Sequence, residues 1–238
     1  MLLLDILKDA FKIYRKSFLD IILGSISVIS VILGIYMLIF STLFGVSQEY
    51  LMKNVIENPQ IVQDIISTPQ FQIKFNLFIV LIKCIIAPMS AGFYKIFDMR
   101  ERGEEINYKI LFSYYNSSFT ARILGFVIGL MMVKLLIEFL LLKLGLGTVS
   151  FSSSVILSLL FTLTIPIIIF ENKSLKNSIK QSSASVSVQM FTALIALFVG
   201  MVLGFSGVLL FGFGIVLTLP ILYAINYSLY QHINQQIN

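Results

Sequence analysis

A chain of 238 residues with 58% hydrophobic and 12% charged side chains, and a mean hydropathy of +0.94, cannot cover a globule in water, where about a quarter of residues are charged. The net charge of +5 comes from basic residues scattered at the ends of apolar runs, so it reads as a set of orientation signals and not as a nucleic-acid-binding surface. The solvent is lipid, and spans of about 20 residues with short connections fit roughly six helices into a single domain, 1–238.

In chain order, Leu3, Leu7, Phe11, Tyr14 and Phe18 share one helical face opposite Asp5, Lys8, Asp9, Lys12 and Lys16, the pattern of a helix lying in the membrane interface. The first span is expected at 19–44. It is too long for the core of a cleavable signal and lacks a small-residue cleavage site, so it stays in the membrane. The segment 45–70 is the only long connection on its side. Ile61, Val62, Ile65 and Ile66 have helical spacing, and Asn58-Pro59 and Thr68-Pro69 each read as an N-cap followed by proline, so one or two short helices are expected there, either as an ordered loop or as a lid. Further spans follow at 71–97, 119–142, 155–170, 190–209 and 213–230, the last two parted by Gly204, Gly207, Gly212 and Gly214.

With the N-terminus in the cytoplasm, twelve lysines and arginines fall on that side (Lys8, Lys12, Arg15, Lys16, Lys95, Arg100, Arg102, Lys109, Arg122, Lys173, Lys176, Lys180) against Lys53, Lys74 and Lys143 outside. Translocating cations is disfavoured, so both ends are placed inside, and the expected location is the inner (plasma) membrane.

Residues 7–24 align without gaps on 108–125. Lys8, Phe11, Tyr14, Ser17, Phe18, Ile22, Leu23 and Gly24 match Lys109, Phe112, Tyr115, Ser118, Phe119, Ile123, Leu124 and Gly125. A weaker third copy places Lys176, Lys180 and Ser185 on Lys8, Lys12 and Ser17, and Pro88, Pro166 and Pro220 recur inside the second, fourth and sixth spans. The expected fold is therefore all-α: a polytopic bundle of six transmembrane helices in three hairpin repeats, about 1–98, 99–171 and 172–238. Each unit is a cytoplasmic interfacial helix, an outgoing span and a returning span kinked at its proline.

The stretches around Pro88 (IAPMSAGFYKIFDMRERGEEINYKILFSYY), Pro166 (LTIPIIIFENKSLKNSIKQSS) and Pro220 (LTLPILYAINYSLY) resemble a diffuse superfamily of bacterial membrane proteins that includes YciC-like proteins and the membrane domain of some glycerophosphodiester phosphodiesterases. The resemblance implies a six-helix inner-membrane protein. It transfers no activity, because no phosphodiesterase domain is present, and it gives Glu171, Asn172, Lys176 and Ser182 no catalytic role.

Lys83, Lys134 and Glu138 lie inside spans, where an ionisable group costs about 2.5 kcal/mol or more on insertion scales. Lys134 and Glu138, four apart, are placed to pair, with Lys83 at similar depth. Either the lysines snorkel around one structural ion pair, or the three form an internal polar site for an anionic group. Gly125 with Gly129, and Gly200 with Gly204, are small-residue pairs that let helix backbones approach, within the bundle or in a homodimer. One histidine, His232, one cysteine, Cys84, and no phosphate-binding loop leave metalloprotease, oxygenase and His-assisted nucleophile readings without their parts, so no enzyme activity and no cofactor are expected. The partners expected are the bilayer and a lipid or small-molecule ligand. The function is the handling or transport of that ligand, or, as the alternative, non-transporting support of membrane organisation or of a partner's assembly. No protein partner is indicated.

Overall fold

The computed structural model describes residues 2–209 and 214–235, the last two by backbone only. Among these residues there is no strand, and five helical stretches are long and apolar enough to cross a membrane: Phe18–Phe44, Pro69–Glu101, Thr120–Lys143, Gly147–Phe170 and Met190–Leu209.

Helix α1 (Leu2–Lys16) leads through Ser17 into α2 (Phe18–Phe44). The long connection then folds into α3 (Gln48–Glu57) and α4 (Pro59–Ser67). Each of the two residue-plus-proline pairs begins a helix. Asn58 precedes Pro59 at the start of α4, and Thr68 caps α5 (Pro69–Glu101) by accepting from the Phe71 amide at 3.3 Å. At 33 residues α5 is about 50 Å long, well beyond a hydrocarbon core of about 30 Å. Its second half makes up the difference by burying itself in protein: Ala87 to Tyr94, with Ile96 and Phe97, are withdrawn from the surface.

The second sequence copy does not form the expected helix. Only a five-residue 3₁₀ turn, Tyr108–Phe112, appears before α6 (Thr120–Lys143). The segment is pressed against α5 instead, so closely that a Cβ on Gly92 would stand 2.3 Å from the Leu111 carbonyl oxygen. Only glycine permits that approach, and a regular helix at 108–118 would not follow the same surface.

The fourth span begins earlier than the sequence suggests and is broken: α7 (Gly147–Leu160) and α8 (Thr164–Phe170) are separated by three turn residues. The cause is Pro166, which has no N–H for the Thr162 carbonyl and crowds it. Pro88 and Pro220, by contrast, sit within continuous helices. After α9 (Leu175–Val188) come α10 (Met190–Ser206) and α11 (Ile215–Gln235), two helices with a tight reversal in which a Cβ on Gly207 would lie 2.2 Å from the Gly214 carbonyl carbon. Gly212 lies outside the described residues.

The main core gathers α1, α8, α11 and the second half of α5, with Phe97, Ile96, Met89, Ile168, Ile225 and Leu229 fully enclosed. Aromatic rings tie these elements together, Phe93 stacking on Tyr223 at 5.1 Å and Phe170 on Tyr230 at 5.5 Å. A smaller cluster of Phe40, Phe44 and Phe78 joins α2 to α5 at the end where α3 and α4 lie. The face of α1 that packs is Ile6, Ala10 and Ile13, while Phe11 and Phe18, expected to share its lipid-facing stripe, remain exposed. Leu3, Leu7 and Tyr14 of that stripe also pack against the core, so the helix is docked on the bundle by most of its apolar surface.

The ion pairs outside α3 gather at the end away from α3 and α4. Arg100 meets Asp20 at 2.5 Å, Arg102 meets Asp98 at 2.9 Å, Lys173 meets Glu171 at 2.5 Å, and the Tyr227 hydroxyl donates to Glu101 at 2.8 Å. This layer holds the start of α2, the ends of α5 and α8, and the far part of α11 on one side of the molecule.

Candidate functional site

The polar groups at the centre of the bundle are organised around the three prolines. Asn226, on α11 and buried, donates through Nδ2 to the Tyr94 hydroxyl at 2.7 Å and to the Thr162 carbonyl at 3.3 Å, and its Oδ1 accepts from Thr162 Oγ1 at 3.1 Å. The Thr162 carbonyl is the one Pro166 leaves without its helical partner, so the side chain of one helix completes the backbone of another. Ser182 of α9 closes the rest of the break. Its hydroxyl donates to the Leu160 carbonyl at 2.8 Å and accepts from the Leu163 amide at 3.2 Å. The neighbouring Thr164 hydroxyl is fully buried and has no partner.

Two tyrosines bond beside the other prolines, each to the carbonyl one residue past the one its proline leaves free. Tyr115 donates to the Ile85 carbonyl, three residues before Pro88, and Tyr14 donates at 2.6 Å to the Leu217 carbonyl, three residues before Pro220. Tyr14 and Tyr115 are matched positions of the sequence repeat, and the same alignment puts Ser182 at that place in the third copy. The three aligned positions thus bond near three different prolines: Tyr14 near Pro220, Tyr115 near Pro88 and Ser182 near Pro166. Burial pushes the Tyr14 phenol up, and it pushes Tyr115 up to about 12. Tyr114, buried and then also facing the Asp98 carboxylate, is pushed up to about 12. All three are therefore neutral at physiological pH, and Tyr14 and Tyr115 act as donors.

The residues singled out in sequence are less concentrated. Lys83 reaches the Met131 sulfur at 3.3 Å, a weak acceptor, and Lys134 donates to Ser158 Oγ on the facing α7. Ser158 is preset for this, because its own hydrogen goes to the Ser154 carbonyl at 2.8 Å. Among the described residues no carboxylate forms an ion pair with either lysine. The expected Lys134–Glu138 pair is therefore replaced by Lys134–Ser158, because the serine opposite supplies an oriented oxygen. Glu138 is exposed and lines an open groove of about 770 Å³ together with Gln63, Ser67, Gln72 and Asn76. Glu138 thus stands apart from the contacts that Lys83 and Lys134 make.

The glycines divide as well. Gly200 and Gly204 face α11, where a Cβ on Gly200 would lie 3.0 Å from Leu222 Cδ1 and one on Gly204 would lie 3.5 Å from Leu222 Cβ. Gly129 has nothing within 4 Å, and Gly125 meets only Leu175 Cδ2 at 3.5 Å, so this pair borders a groove instead of a helix contact. Tyr94 and Thr162 were not singled out in sequence because uncharged side chains in apolar runs give no signal, and Ser182 stood only in a motif that assigned it no role. The prolines were the available clue, since a carbonyl deprived of its N–H inside a bundle requires a donor.

No protein-family model, curated protein or solved structure matches the chain.

Proposed function

We propose that this chain is a multi-pass protein of the inner membrane, with six spans and both ends in the cytoplasm, that holds membrane lipid on its flanks and conducts no polar solute through its centre. The observation that carries this reading is the engagement of the central polar groups: Asn226 uses both ends of its amide on Tyr94 and Thr162, and Ser182 both donates and accepts across the α7–α8 break. A transported polar solute needs groups that are free to change partner. Cavities at span level are lined mainly by apolar side chains, between α6, α7 and α9 and between α7 and α10.

The sixth span of this proposal is α11. Its 21 residues make about 32 Å, enough to cross, and Asn226, Ser228 and Tyr227 lower its hydropathy without cost because they are buried against protein. The three-unit organisation is supported by the cyclic pattern of Tyr14, Tyr115 and Ser182, and likeness to YciC-like membrane proteins remains part of the same proposal. No catalytic role is proposed. The closed centre also favours the second reading, non-transporting support of membrane organisation or of a partner.

The test is to purify the protein in mild detergent, quantify retained phospholipid by mass spectrometry after a delipidating wash, and reconstitute it in vesicles loaded with a small polar dye. Retained phospholipid and no dye release are expected. Dye release would overturn the closed centre, and protein that remains folded with no bound lipid would leave only the organising role.

A further inference from the structure

Resting on the lipid-holding reading, we propose that the groove between α6, α7 and α9 seats one acyl chain of an anionic glycerophospholipid whose headgroup lies on Lys176 and Lys180. The groove encloses about 350 Å³ and is lined by side chains that include Gly125, Gly129, Val133, Leu157, Leu175 and Ile179. From Gly125 to Val133 it follows α6 for about 12 Å, the length of a substantial part of an acyl chain.

One end of this apolar channel is basic. On α9 the buried side is Ser178, Ser182, Ser185 and Val186, Leu175 and Ile179 lie next to it, and Lys176 and Lys180 follow those two by about 100° around the helix. The lysines therefore border the groove on its open side. Both are exposed, and among the described residues neither is ion-paired, whereas Lys173 beside them is held by Glu171 at 2.5 Å. Helix α9 carries no acidic residue. Arg122, one turn before Gly125, fixes the same end by donating to the Lys173 carbonyl at 2.8 Å and to Asn172 Oδ1 at 2.9 Å. An apolar slot ending in two unpaired cations matches a lipid with an anionic headgroup.

The sequence repeat indicates that the opening is particular to this place. In the first copy the position matched to Gly125 is Gly24, and there the space is taken: a Cβ would lie 3.0 Å from Phe93 Cε1 and 3.4 Å from Leu111 Cδ2. The residue matched to Leu111 in the third copy is Ser178, which is buried the other way and donates to the Ser174 carbonyl at 3.0 Å. The side chain that fills the gap in one unit is thus missing in the other.

The chain contains no tryptophan, so a single introduced one is a clean reporter. Val133→Trp places it in the groove, and Leu38→Trp, at a position 81% exposed on α2, reports on bulk lipid. The full chain is reconstituted in phosphatidylcholine vesicles, and quenching is compared for mid-chain-brominated phosphatidylglycerol and brominated phosphatidylcholine. Expected is stronger quenching of Val133→Trp by phosphatidylglycerol, none of that preference at Leu38→Trp, and a loss of about fivefold in preference for each of Lys176→Gln and Lys180→Gln at low salt. Rising salt should erode the preference of the unsubstituted site, a reading that needs no charge variant. Equal quenching by the two lipids, equal preference at both reporters, or preference that survives the double substitution overturns the headgroup site and leaves lipid holding intact. Absence of quenching at Val133→Trp by either lipid, with disulfide dimers formed by Gly129→Cys in a Cys84→Ser background, would show a second copy seated in the groove and overturn the site itself.

Discussion

Asn226 of α11 bonds to Thr162 in the α7–α8 break and Thr164 begins the helix after it, yet they should respond oppositely to loss of their polar atoms. Removing Asn226 leaves the Tyr94 hydroxyl, the Thr162 hydroxyl and the Thr162 carbonyl without their shared partner in a buried setting. Asn226→Leu is expected to cost about 1–2 kcal/mol, above the ~0.6 kcal/mol average for polar contacts between membrane helices because several groups lose a partner at once. Thr164 has a buried hydroxyl with no partner, so Thr164→Val removes only an unmet desolvation cost. Thermal unfolding followed by circular dichroism in detergent should show a lower Tm for Asn226→Leu and an unchanged or higher Tm for Thr164→Val. A drop for Thr164→Val would mean that the hydroxyl holds a water or a ligand.

At the scale of elements, the stitches made by Tyr14 and Tyr115 carry a pH signature. Burial raises both phenols, Tyr115 to about 12, from an ordinary value near 10, so the folded state binds these protons more tightly than the unfolded chain does. The stability held by Tyr115 is whole below pH 10 and is lost as pH rises through about 12, when its phenolate can no longer donate to the Ile85 carbonyl, and the raised Tyr14 phenol loses its bond to the Leu217 carbonyl in the same direction. Unfolding temperature should therefore fall over that window. A Tyr14→Phe, Tyr115→Phe double variant should start lower and show a shallower alkaline slope, and an unaltered slope would remove the two tyrosines from the account.

For the whole molecule, the Arg100–Asp20 and Arg102–Asp98 pairs and the α3–α4 segment sit at opposite ends of α2 and α5, which makes sidedness measurable. In a Cys84→Ser background, Met52→Cys on α3 should react with an impermeant thiol reagent in intact cells, and Gly103→Cys, beside the Arg102–Asp98 pair, should react only after lysis. Early reaction of Gly103→Cys would reverse the proposed orientation, while reaction of both would argue against five or six crossings as counted.

Periodicity and composition were enough to expect an all-helical membrane protein, helix starts at Pro59 and Pro69 with a cap at Thr68, and a reversal between the last two helices, because burial in lipid and proline geometry act locally along the chain. The same local signals misplaced three features. The 108–118 segment has the residues of a helix but is drawn into a 3₁₀ turn by the backbone surface at Gly92, a contact with a partner in another element. Lys134 had a carboxylate one turn away and took Ser158 across the helix pair instead. Gly125 and Gly129 have the spacing of a packing seam, yet whether such a seam is filled depends on the opposing helix. At Gly24 Phe93 and Leu111 fill it, whereas at Gly129 nothing comes within 4 Å. Which prolines break their helix and which donors repair them was settled only in three dimensions, because a freed carbonyl bonds to whichever side chain the fold brings within about 3 Å.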